Sequence, residues 1–132
     1  MSLTKKASTL FLFTLVPALA AGCGGGGTTA VPLGQVELTS IHEMYQHYIK
    51  SHKKAPSQLS DLTSKQYDGI YPGPVQALKK GKYVVVWGVN SKDSGTVLAY
   101  EKDAPEKGGA AVMADGTVRN ITAEEAKAAQ KS

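Results

Sequence analysis

Lys82-Tyr83-Val84-Val85-Val86-Trp87-Gly88-Val89 decides the fold. Six of its eight residues are β-branched or aromatic, types that suit a pleated, packed surface, so it is the strongest strand signal in the chain. Tyr83, Val85, Trp87 and Val89 alternate with Val84 and Val86, and both sets are apolar. That pattern predicts a strand buried on two faces, hence a central one. Working outward, Asn90 to Gly95 reads as a hairpin loop and Thr96 to Lys102 as the returning strand. Asp103 to Gly109 is a turn holding Pro105 and Gly108-Gly109. Ala110 to Ala114 and Thr117 to Ile121 then flank Asp115-Gly116, the pair expected in a type I′ hairpin turn, where both central residues need positive φ. Asp115 is explained by that turn without a catalytic or metal-binding role.

Upstream, Leu38, Ile41, Tyr45, Tyr48, Ile49 and His52 recur at spacings of three and four, which predicts an amphipathic helix over 36–54. Glu37 at its start and Lys53-Lys54 at its end suit the helix dipole. Pro56 stops it, because Ala55 is pushed out of helical geometry. Pro56 to Leu62 is a connector with one helical turn whose Leu59 and Leu62 are expected to tuck inward. Residues 63–75 carry Asp68-Gly69 and Pro72-Gly73-Pro74, turn signals that predict an irregular loop. Val75 to Lys80 reads as a short helical turn closed by Gly81. Past the strands, Thr122-Ala123-Glu124-Glu125 matches a capping box and opens a short helix through Gln130, expected to be exposed and frayed. The fold class is therefore α+β: an amphipathic helix on an antiparallel sheet of about four strands, with a short C-terminal helix.

The first 23 residues have a different layout. Lys5 and Lys6 precede an apolar run from Leu10 to Ala21, whose end leads into Ala18-Leu19-Ala20-Ala21-Gly22-Cys23, a stretch of mostly small residues. A basic start, a short apolar run and small residues at a cut are the parts of a secretory signal, and a dozen apolar residues are too few to span a bilayer core of about 30 Å. Leu19-Ala20-Ala21-Gly22-Cys23 resembles the lipobox of bacterial lipoproteins. It departs from it in having Ala20 where Leu is usual, with Leu19 one place earlier. The resemblance implies a diacylglycerol on the Cys23 thiol, cleavage before Cys23 and acylation of the new amine. With no other cysteine in the chain, Cys23 has no intramolecular disulfide partner. Two or three acyl chains give a stable anchor where one is marginal.

The organisation that follows is a signal peptide over 1–22, a lipidated Cys23 with a tether over 23–35, and one domain over 36–132. Gly24 to Gly27 and Thr28-Thr29-Ala30 read as spacer, with a root-mean-square reach of about 15 Å. A phosphate-cradling loop would need a strand before it and a helix with Lys or Ser in register after it. Losing Lys5 and Lys6 takes the 15 basic residues to 13 against 11 acidic ones, so net charge falls from +4 to +2. Only Arg119 is an arginine, which argues against a nucleic-acid partner. Both phenylalanines, Phe11 and Phe13, leave with the signal, so the core must come from aliphatic residues, six Tyr and Trp87.

His42, His47 and His52 fall on the helix five residues apart. Each step turns about 140°, so neighbouring histidines do not share a face, and no metal site is expected. No paired carboxylates and no nucleophile–base arrangement appear, so neither catalytic residues nor a cofactor are expected. Tyr67, Tyr71 and Trp87 are the candidate binding surface, for an envelope protein or a glycan; the two tyrosines could equally cover an edge of the core.

One further resemblance concerns the domain. Met44-Tyr45-Gln46-His47-Tyr48, Ala55-Pro56-Ser57-Gln58-Leu59-Ser60-Asp61-Leu62 and Val112-Met113-Ala114-Asp115-Gly116-Thr117-Val118, in that order, resemble the globular heads of type IV pilin-like and type II secretion pseudopilin proteins. This implies a helix packed on a sheet closed by an Asp-Gly hairpin, and an accessory role in such an assembly. The chain departs from that family in having a lipobox and no acidic residue in 1–36. The expectation is a lipid-anchored protein of a bacterial cell membrane or outer membrane, of binding or structural type. The alternatives are a pilin-like accessory subunit and, further off, an envelope hydrolase.

Overall fold

The structure, a computed structural model, describes residues 32–90 and 92–132. The signal segment, Cys23 and the glycine run lie outside the described residues. The domain is α+β: a four-stranded antiparallel meander with helices against both faces.

Helix α1 (Leu33–His52) carries Leu38, Ile41, Met44, Tyr45 and Tyr48 into the core. It begins three residues before the expected start at 36, because its first turn rests on the end of the sheet. A Cβ at Gly34 would lie 3.6 Å from both the Tyr83 hydroxyl and Glu101 Oε1. It ends at Lys53, which adopts the left-handed conformation at φ 59 and donates its N–H to Ile49 O. His52, expected on the apolar stripe, is exposed in the last turn.

Helix α2 (Leu59–Leu62) is one turn, and Asp61 Oδ2 accepts from the Ser57 and Gln58 amides at its start. Leu62 is fully buried but Leu59 is 42% exposed, contrary to the inward tuck expected of both. So short a turn brings only its C-terminal end under α1. The loop expected over 63–75 is instead helix α3 (Lys65–Ile70) and the start of α4 (Pro72–Lys79), jointed at Tyr71. Pro72 and Pro74 were misleading as turn signals because they occupy the first turn of α4. The amides they lack have no intrahelical acceptor in any helix, so they cost it nothing. At the other end Gly81 (φ 70) donates to Leu78 O and Lys82 donates to Ala77 O, the paired bonds of a Schellman cap.

Strand β1 (Tyr83–Val85) pairs only with β2 (Val97–Glu101), so it is an edge strand and not a central one. Its two apolar faces are explained by helical layers on both sides of the sheet, not by neighbours on both edges. The strand stops because Trp87-Gly88 turns the chain away: Gly88 takes φ 77 and donates to Pro56 O. One face of the sheet, with Tyr83, Val85, Ala99 and Val112, meets α1; the other, with Tyr100 and Ala111, meets helix α6 (Ala123–Gln130). Strand β2 carries a bulge between Val97 and Ala99 against β3 (Gly109–Met113). A short helix, α5 (Ala104–Lys107), occupies the expected turn between them.

Strands β3 and β4 (Val118–Ile121) are joined at Asp115-Gly116, but not by a type I′ turn. Gly116 alone has positive φ, at 90. Gly116 N–H donates to Met113 O, Met113 N–H to Thr117 O, and Asp115 Oδ1 accepts from Thr117 N–H. That is a three-residue loop closed by a left-handed glycine. The capping box of α6 forms as expected, with Thr122 Oγ1 accepting from Glu125 N–H and Glu125 Oε2 from Thr122 N–H. The helix is not merely laid on the surface, however, since Ala126 is fully buried and α6 packs on α5 and β2.

Candidate functional site: a groove along α1

One exposed side of α1 and the joint at Tyr71 enclose a groove of ≈ 430 Å³ lined by His42, Glu43, Gln46, His47, Lys50 and Tyr71. Successive turns of α1 supply five of the six, on the side of the helix away from the core residues, with His42 and His47 at opposite edges of the groove about 140° apart. Tyr71 reaches the groove because the α3–α4 joint carries it back toward α1, where its hydroxyl lies 3.4 Å from His47 Nδ1. His47 is also held edge-on by the rings of Tyr67 and Tyr71, at centroid distances of 5.7 and 6.0 Å.

His42 is fixed from the opposite side of the groove. Its Nε2 lies 3.1 Å from Ala114 O and 3.4 Å from Gln46 Nε2, and its ring packs under the β3–β4 turn. A carbonyl only accepts, so Nε2 donates its proton to Ala114 O, and Gln46 Nε2, also a donor, is its neighbour and not a hydrogen-bond partner. Asp115, beside it, has its carboxyl held below the ordinary range, first by the Thr117 amide and only last by His42. His52 is remote from both, its Nδ1 3.2 Å from Tyr48 O and its ring stacked on Tyr48. Among the described residues no group of three His, Cys, Asp or Glu side chains could hold a metal.

The tyrosines and tryptophan singled out in the sequence do not share one surface. Tyr67 is buried to 1% exposure, its hydroxyl without a partner in hydrogen-bond geometry, and desolvation pushes that phenol above its ordinary pKa. It covers the core. Tyr71 is half-buried and lines the groove. Trp87, also half-buried, lies in a separate cleft between β1 and α6 with Val84, Tyr100 and Ala129. Gln46, Lys50 and Glu43 were not singled out; the signal that could have found them is that they project from α1 between the directions of His42 and His47.

Chemically the groove offers two imidazoles, an amide, a phenol, an ammonium and a carboxylate. These groups offer a few hydrogen bonds on a wall that is otherwise mostly ring and stem carbon. Glu43 is the groove's single carboxylate, no serine or cysteine lines it, and Tyr71 is the one hydroxyl. No helix among the described residues is long and apolar enough to cross a membrane. No family model, curated protein or solved structure matches the chain.

Proposed function

We propose that this chain is a lipid-anchored protein of the bacterial cell envelope, of binding or structural type, held through Cys23 and presenting the α1 groove to a protein or glycan. The observation that carries the reading is Leu19-Ala20-Ala21-Gly22-Cys23 closing an apolar, basic-started segment. The groove supports the binding reading by gathering donors and acceptors along one side of α1. The experiment is fractionation of cells making the wild type and Cys23→Ala. The wild-type protein sediments with membranes and dissolves in detergent; Cys23→Ala is released or accumulates unprocessed. Equal membrane retention of a processed Cys23→Ala protein would sink the anchor.

A second reading makes the protein an accessory subunit of a secretion or pilus-like assembly. It is favoured by the order of a long helix followed by a meander closed on Asp115-Gly116. Pull-down of the detergent-extracted protein separates the two. Recovery of secretion-apparatus subunits supports the accessory role, and their absence counts against it.

A further inference from the structure

The end of the domain where the described chain begins has its own chemistry. Lys80, Lys82, Lys102 and Lys107 line a concavity of ≈ 540 Å³ with Gly81, Glu101 and Asp103. The first turn of α1 sits beside it, because Lys82 Nζ and the Tyr83 hydroxyl both donate to Glu37 Oε2 and Gly34 rests on Glu101. That same turn leaves Leu33 82% and Val36 49% exposed. Four lysines stand against three carboxylates here. Glu37 and Glu101 are half-buried and each has an oxygen turned inward, to Tyr83 and to the Ala110 amide, while Asp103 pairs with Lys107. The rim carries the exposed Asp103 as well as the lysines, but Lys80 and Lys102 have no ion-pair partner among the described residues, which leaves the rim with an excess of positive charge.

Cys23 lies ten residues before Leu33, so a fully extended chain between them spans at most about 35 Å. An acylated Cys23 therefore keeps this end of the domain within about 35 Å of the bilayer, closer on average than the far end of α1. We infer that the Lys80–Lys82 and Lys102–Lys107 rim, with Leu33 and Val36, is a docking surface for anionic phospholipid headgroups; the inference rests on the anchor reading above. The ammonium groups meet lipid phosphates, and the two aliphatic side chains enter the interfacial layer. The tether supplies the proximity that a few lysines alone would not, since each contributes only about a fivefold gain in partition.

The test is lysine acetylation footprinting of the protein extracted from membranes and reconstituted into phosphatidylcholine vesicles with and without about 30% phosphatidylglycerol. Lys53 and Lys54, about 30 Å away at the other end of α1, are internal controls. Relative to them, Lys80 and Lys102 should label at least fivefold more slowly with the anionic lipid, and recover in about 1 M salt, where the Debye length is about 3 Å. Leu33→Asp with Val36→Asp should reduce that protection with the fold intact by circular dichroism. Equal labelling in both vesicles, with an acylated N-terminal peptide in the same digest, overturns the docking surface and leaves the anchor standing. Protection already present in detergent would place a protein on this surface and overturn it too. An unacylated N-terminus overturns both.

Discussion

Lys53 adopts φ 59 at the end of α1, a conformation that glycine takes without steric cost and a side chain does not. Its N–H still closes the helix on Ile49 O. Lys53→Gly should therefore raise stability by a few tenths to about 1 kcal/mol, read as a higher urea midpoint at unchanged m-value. A lower midpoint would mean that the lysine stem makes a contact worth more than the strain. Gly116 is the opposite case. It sits at φ 90, and a Cβ there would come within 3.0 Å of His42 Cε1. Gly116→Ala should cost at least about 1 kcal/mol and disturb the His42 side of the groove, detectable as a shift of the His42 ring resonances. Glu37 gives a pH dependence. Hydrogen bonds from Lys82, then from Tyr83, lower its pKa from the ordinary value of 4.5. The folded chain thus binds that proton less readily than the unfolded chain. The stability this contributes is present above 4.5 and is lost as pH falls from there toward the folded value. Urea midpoints measured at neutral pH and at about pH 3.5 should show the fall, and Glu37→Gln should make it shallower. A fall of undiminished size in the variant would assign it to the other carboxylates with lowered values, Asp61, Asp115 and Glu125.

Among the elements, α6 depends most visibly on a local signal. Its capping box satisfies two amides, Glu125 also pairs with Arg119 of β4, and Ala126 seats the helix in the core. Thr122→Ala should cost about 1 kcal/mol, a melting-temperature drop of about 4–8 °C for a domain of this size. No change would mean that packing at Ala126 alone holds the helix. This cap was legible because Thr-x-x-Glu states its own geometry. The seat was not, since one alanine facing the core looks like any other alanine in sequence. The same contrast runs through the chain. The stripe of α1 and the strand pairs announced themselves by period, whereas α3 and the first turn of α4 were hidden by Pro72-Gly73-Pro74. Proline marks a loop or a helix start equally well, and only the packing of Pro74, Val75 and Leu78 decides between them. The placement of β1 failed for a related reason. Apolarity on both faces reports that the strand is covered, not whether strands or helices cover it.

For the whole molecule, the core runs continuously from Tyr67 and Tyr48 through α1 and the sheet to Ala126, so the domain should unfold as one cooperative unit. Three buried tyrosine hydroxyls, of Tyr45, Tyr67 and Tyr100, have no partner in hydrogen-bond geometry. Burial pushes the Tyr45 phenol up to about 12, with the Val89 and Gly88 amides offsetting part of that. The groove was only partly legible: the histidines stood out, but which face each shares depends on the β3–β4 turn over His42 and on Tyr71 returning to His47. The anchor reading rests on residues 1–23 alone. Its most direct test is mass spectrometry of the N-terminal peptide of the protein purified from the cells that make it. A lipid-anchored protein gives a chain beginning at Cys23 and carrying a diacylglycerol, with or without an amide-linked acyl chain. An unmodified chain beginning at Ala21, Gly22 or Cys23 would contradict the anchor reading.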